Sequence, residues 1–186
     1  MRIIKPSVEI IDQSSGLQGI FQMIELAGRT CYKSEDKITE TSAQEFVNRM
    51  IESKHLAMLE HGTIYLQYNH NSLHPYEGSN LYEKYKSNKY SECHYDYINR
   101  DTKATIITTN YRVLIENNWL DDLKYLCEPT EFHEKRVSAK FSTQIIITRE
   151  VHRHRTHSMA GESTRYCKYT SDKFGNEIAI SCPTWV

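Results

Sequence analysis

Between Ser42 and Ile51 the chain carries both a start signal and one buried face for a helix. Ser42-Ala43-Gln44-Glu45 reads as a capping box, in which hydroxyl and carboxylate satisfy first-turn amides; Ala43, Phe46, Val47, Met50 and Ile51 form an apolar stripe behind it. Around this helix the other elements fall into place. Residues 7–12 alternate as a strand, and Leu17, Ile20, Phe21, Ile24 and Ala27 then repeat at helical spacing up to Gly28. Residues 63–68 read as a strand, and the polar, tyrosine-rich stretch from about 69 to 101 reads as a loop or partly helical insertion. A strand over 105–109 precedes helical turns between Tyr111 and Leu126, with a stop near Glu128-Pro129. Val137, Ala139, Phe141, Thr143, Ile145 and Ile147 share one face of a predicted long strand. The expectation is an α+β fold, a mostly antiparallel sheet with packed helices, in one domain over 1–186 with an insertion at about 69–136.

With 186 residues, 39% hydrophobic and 25% charged, the chain can bury a sizeable core. No run approaches the roughly 18 apolar residues of a membrane span. The opening Met1-Arg2-Ile3-Ile4-Lys5-Pro6 breaks off before a signal-peptide apolar stretch can form, so a cytoplasmic protein is expected. With a formal charge of −1 and a pI near 6.8, a wide basic face would need an equally acidic face elsewhere, so any anion site must be local. Five cysteines, odd in number and without C-x-x-C, read as reduced thiols rather than a disulfide framework or a cysteine zinc site. With seven glycines and neither G-x-G-x-x-G nor a P-loop pattern, a nucleotide site must be built another way.

The information is concentrated after residue 148. Arg149-Glu150-Val151-His152-Arg153-His154-Arg155-Thr156-His157 packs three arginines and three histidines into nine positions, and Ser163-Thr164-Arg165-Tyr166 follows. On a helical turn Arg149 shares a face with His152 and Arg153. Neighbouring arginines repel unless an anion sits between them, and their planar forks match phosphate oxygens, so the cluster points to a phosphate or polyanion site. Hydroxyls at Ser163 and Thr164 add donors for phosphate or base carbonyls. Two other readings compete. A charge-rich helix is often only a solvated face, with Glu150 and Glu162 pairing the arginines at little net energy. Zinc could use His152, His154 and His157, but interleaved arginines repel a cation, and no metal is expected. Nucleophilic catalysis by Cys167 or Ser163 needs an activating geometry that sequence does not show. Tyr76, Tyr82, Tyr85, Tyr90, Tyr95 and Tyr97 interleave with Lys84, Lys86 and Lys89 as if to stack bases, but Glu77, Glu83, Glu92 and Asp96 cancel those lysines. No nucleic-acid partner is expected.

Arg153-His154-Arg155, seven residues, then Ser163, continued by Arg165-Tyr166, resembles the signature of the flavin-dependent thymidylate synthases. A second patch, His55-Leu56-Ala57-Met58-Leu59-Glu60-His61, is similar to the family's histidine-containing stretch ending in Glu-His. A third, Ala27-Gly28-Arg29-Thr30-Cys31-Tyr32, is similar to the end of its first helix. The resemblance implies an enzyme that makes dTMP from dUMP, with methylenetetrahydrofolate as carbon donor, reduced FAD as hydride donor and NADPH regenerating the flavin. It implies FAD contacts at His55, Arg153, His154, Arg155 and Thr156, and dUMP contacts at Glu150, Arg153, Glu162, Ser163, Thr164 and Arg165. No enzyme cysteine attacks the uracil in that family, and its active sites lie between subunits of a homotetramer, so a homo-oligomer is expected. A cationic pocket suits all three anionic ligands. Where the family commonly has Asn-Glu before the motif serine, this chain has Ala160-Gly161 with Glu162 displaced by one, and Glu150 stands where glutamine is often found. The family continues into a helical segment with further arginines, whereas this sequence stops at Trp185-Val186. The resemblance therefore implies a catalytic arginine beyond Val186, supplied by a longer chain or a second polypeptide; a noncatalytic flavin- or nucleotide-binding homologue is the alternative.

Overall fold

The computed structural model describes residues 2–70, 76–100, 102–154, 156–174 and 176–183. In chain order the elements are β1 (Arg2–Ile4), β2 (Ser7–Ile11), α1 (Gly16–Tyr32), α2 (Ser42–Glu52), β3 (Thr63–Asn69), α3 (Glu77–Lys86), β4 (Glu92–Tyr97), β5 (Lys103–Asn110), α4 (Tyr111–Asn117), β6 (Ser138–Ser142), α5 (Ile145–Val151) and β7 (Ala179–Ser181). Helices and small, mainly antiparallel sheets mix, as the α+β reading requires. The main sheet is antiparallel in the order β3-β5-β4, while β2 pairs with β6 antiparallel and β1 with β7 in parallel.

The predicted apolar stripes build the core. Ile20, Phe21 and Ile24 of α1 meet Ala43, Phe46, Val47 and Met50 of α2 and Ile64 and Leu66 of β3 in one buried cluster. A side chain at Gly28 would collide with the Phe46 ring at 2.4 Å, so glycine is what lets the two helices approach here. Helix α1 stops at Lys33, whose left-handed backbone (φ 47°) lets its N–H reach the Arg29 and Thr30 carbonyls. The capping box is not formed as expected. Thr41 precedes α2 as the cap position, and Ser42 turns its hydroxyl to Glu25 Oε2 at 2.8 Å. That carboxylate, 1% exposed, also accepts from Arg29, so the Ser42 hydroxyl is spent on a buried charge rather than on its own first turn.

Two further expectations change. The stretch read as a loop or partly helical insertion does supply a helix, α3, whose Leu81 and Tyr85 enter the core, and also a strand that was not expected, β4. Strand β4 carries no aliphatic signal, because Glu92, His94 and Asp96 alternate with Cys93, Tyr95 and Tyr97. Residues 103–110, inside the region read as an insertion, form the central strand, pairing Leu66 with Ile107 on one side and Cys93 with Ile107 on the other.

The long strand over 137–147 is corrected: it ends at Ser142, and α5 begins at Ile145. Its partner explains why. Strand β2 starts at Ser7, paired with Ser142, and the next position back is Pro6, which has no N–H to extend the ladder.

Candidate functional site

Helix α1 ends where Tyr32 projects toward the turn after α2. Lys54, also left-handed (φ 58°), closes α2, and His55 leads into a 3₁₀ turn over Leu56–His61. These two chain reversals, with Arg112 from α4, enclose a cleft of about 410 Å³ lined by Cys31, Tyr32, Lys54, His55, Leu56, Ala57, Met58 and Arg112. A smaller cavity, beside Gln13, Thr63 and Cys127, measures about 20 Å³ and has room for water only.

The cleft mixes an apolar floor with fixed polar groups. The Tyr32 hydroxyl lies 3.2 Å from His55 Nδ1. Arg112 donates to Glu60 Oε1 at 2.5 Å and pairs with Glu116 at 2.8 Å, and these carboxylates hold its guanidinium above the ordinary arginine value. The other oxygen of Glu60 accepts from Ser158 at 2.6 Å. One carboxylate thus ties the turn at 56–61 to α4 and to the segment that follows the Arg-His-Arg motif.

More latches hold that segment. The Ser163 N–H donates to the Cys31 carbonyl at 2.9 Å, and Tyr166 meets the Tyr32 ring edge-on at 5.5 Å. Lys33 sits 3.5 Å from Glu162 and 4.5 Å from the centre of the Tyr169 ring. Cys167, 3% exposed, is the buried anchor. Desolvation pushes the Cys31 and Cys167 thiols up, so neither has the activated thiolate that a nucleophile needs.

The structure therefore brings Glu162 and Ser163 to the end of α1, beside the cleft that His55 lines. It does not bring the rest of the expected set there. Glu150 and Arg153 pair with each other at 3.1 Å on the surface, the arginine side chain 76% exposed. His154, Thr156, Thr164 and Arg165 are also exposed and none lines the cleft, while Arg155 lies outside the described residues. The Thr156 hydroxyl bonds to His157 Nδ1 at 3.1 Å, and His152 donates through Nδ1 to the Thr148 carbonyl at 2.6 Å. Among the described residues no group of three His, Cys, Asp or Glu side chains could hold a metal ion, and no helix is long and apolar enough to cross a membrane.

Sequence reasoning missed Tyr32, Glu60 and Arg112 as site residues. The first two lay inside patches already singled out, whereas Arg112, in a short helix of the presumed insertion, carried no local signal. Comparison with family models, curated proteins and solved structures finds no match to this chain.

Proposed function

We propose that the chain acts as a flavin-dependent thymidylate synthase, methylating dUMP to dTMP with methylenetetrahydrofolate as carbon donor and NADPH as the source of reducing power. One observation carries this reading. The sequence patches at 27–32 and 55–61, each similar to a patch of that family, line one cleft, and Ser158, Glu162, Ser163 and Tyr166 of the third patch are fastened beside it, with Glu60 and Ser158 bonded across 98 positions of chain. Their convergence is unexpected for chance matches.

The cleft's chemistry fits the planar ring of a flavin. Its volume falls within the usual ligand-pocket range of about 300 to 1,000 Å³. Leu56, Ala57 and Met58 offer an apolar face, Tyr32 and His55 aromatic edges, and Lys54 positive charge for an electron-rich ring. The exposed Arg153, His154 and Thr156, with Arg155, are suited to the pyrophosphate, and Ser163, Thr164 and Arg165 to the nucleotide. Reduced FAD, when bound, supplies the hydride. The chain's own work is to stack, orient and shield the reacting rings, which is where most of the rate of such a transfer arises. With its thiols raised by burial, Cys167 is left as packing, and cytoplasmic conditions keep the thiols reduced.

A homo-oligomer belongs to this reading. Val8, Ile10 and Phe141 crowd one face of the β2–β6 ribbon at about 60% exposure each, and Ile145, Ile146 and Ile147 of α5, just before the arginine motif, are exposed as well. A second copy covering this face would bring its own surface to Arg153 and His154.

The test is the visible absorption spectrum of the desalted chain after incubation with FAD, before and after dUMP. A retained flavin band that shifts with dUMP is expected. Flavin retained without dUMP-dependent oxidation favours the noncatalytic homologue, and no retained flavin in any oligomeric form counts against both. Arg153→Ala is expected to weaken FAD and Arg165→Ala chiefly dUMP; unchanged affinity for both ligands in both folded variants would remove the site assignment.

A further inference from the structure

The two aromatic walls of the cleft touch each other. Tyr32 closes α1 and His55 opens the turn at 56–61, and they meet at 3.2 Å between the phenol oxygen and Nδ1. The phenol is held in place by the Tyr166 ring edge-on at 5.5 Å, and burial raises its pKa, so it remains protonated and able to donate at neutral pH.

In a neutral imidazole one nitrogen donates and the other accepts, and the bond made by one fixes the role of the other. A second histidine of this chain shows the rule. The Thr130 N–H donates to His133 Nδ1 at 3.1 Å, and Nε2 faces the Leu66 carbonyl at 3.3 Å, so His133 carries its proton on Nε2. Tyr32 meets His55 at the same ring nitrogen, through a hydroxyl that donates to a bare Nδ1 or accepts from a protonated one. Among the described residues, however, His55 Nε2 has no hydrogen-bond partner, and His55 lines the cleft.

We infer that Tyr32 is a positioning residue that holds His55 in the Nε2–H tautomer, ready to donate to a ring carbonyl of a planar heteroaromatic ligand in the cleft. The class of ligand follows from the geometry. A lone N–H beside an apolar floor and an aromatic edge suits a flat ring with an in-plane carbonyl, such as a pyrimidinedione, a pterin or an isoalloxazine. The ligand half of the inference rests on the proposed function; the tautomer half does not.

The test reads the two halves separately. Two-bond proton–nitrogen correlation spectra of the ¹⁵N-histidine-labelled full chain, recorded about two units above the usual histidine pKa of about 6.5, report which nitrogen of His55 is bare, with His55→Gln assigning the signals. Nδ1 bare and Nε2 protonated is expected, turning into a mixture of tautomers in Tyr32→Phe but not in Tyr166→Phe, which keeps the Tyr32 hydroxyl. A proton on Nδ1 in the parent chain, or a tautomer indifferent to Tyr32→Phe, overturns the inference. FAD titration is the second readout: Tyr32→Phe is expected to weaken binding about twofold, the factor by which a mixture of tautomers dilutes the donating form. Equal affinity of the two chains overturns the ligand half. If the parent chain takes no FAD while the Nε2–H tautomer is present, the flavin reading fails and the positioning role stands.

Discussion

The two halves of this molecule are held together by different forces. From α1 through α4, aliphatic and aromatic side chains interlock in one buried cluster, and the central strand β5 is buried over nearly its whole length. From β6 to β7, Cys167 and Ser181 are the buried residues among those described, and Ile145, Ile146, Ile147 and Phe141 point outward. The first half drives its own folding by apolar burial, whereas the second is fastened to it by a few polar latches. A lone two-stranded ribbon with an open apolar face is marginal in water, so covering that face would add to the stability of the second half.

The largest expected effect separates the halves directly. Leu66→Ala removes a fully buried side chain from the centre of the core and should cost about 2–5 kcal/mol in urea unfolding. Ile146→Ala removes an aliphatic of similar size that is 68% exposed and should change monomer stability by no more than about 0.5 kcal/mol. Comparable losses would break the contrast. The outward face is tested by Ile146→Glu, which should leave the monomer folded and lower the oligomeric fraction seen by light scattering.

A pH titration sharpens the contrast from the core side. Burial lowers the pKa of His61, His70 and His133, opposed at His61 by Glu60 and aided at His70 by Lys103. Each folded-state pKa lies below the unfolded value of about 6.5, so the unfolded chain binds protons more readily. The stability these neutral rings contribute is present above about pH 6.5 and is lost as pH falls toward the folded values. The urea midpoint should therefore drop on acidification, and His133→Gln, which does not charge, should flatten the drop.

A smaller effect is expected at the latch. Glu60→Ala frees Ser158 and leaves Arg112 with Glu116 alone, costing about 1–2 kcal/mol. Its clearer signature is faster tryptic cleavage after Arg153 and Arg165, with the core fragment surviving. Uniform loss of both halves would mean that they are not separable.

These differences also decide what could be read from the sequence. Helices α1 and α2 and strands β3 and β5 were legible because burial on a fixed face imposes a period on apolar residues. Strand β4 was not, since its inward face is built of tyrosine and cysteine, and α5 was not, since three consecutive isoleucines fit a strand as well as a helix. What ended β6 was Pro6, a residue more than a hundred positions away, and no local pattern carries that. The candidate site divides in the same way. His55 lines the cleft, and Glu162 and Ser163 lie against the end of α1 beside it. Arg112 became visible only when α4 packed against the turn at 56–61.

The smallest expected effect bears on a residue with two possible duties. Glu162 was expected to contact dUMP, and the structure engages it with Lys33 and with the Tyr169 hydroxyl. An ion pair this exposed contributes about 0–1 kcal/mol, so Glu162→Gln should barely move the unfolding curve. The phenol reports what the curve does not. Burial first, and then the hydrogen bond and charge of Glu162, push the Tyr169 pKa up. Removing the carboxylate's charge while keeping an acceptor should bring that ionisation down in an ultraviolet titration, though not to the ordinary tyrosine value, because the burial remains. If the titration moves and dUMP affinity does not, Glu162 belongs to the fastening of the second half. If dUMP affinity falls while Tyr169 titrates as before, the carboxylate faces the nucleotide instead, and one of the latches that distinguish the two halves is gone.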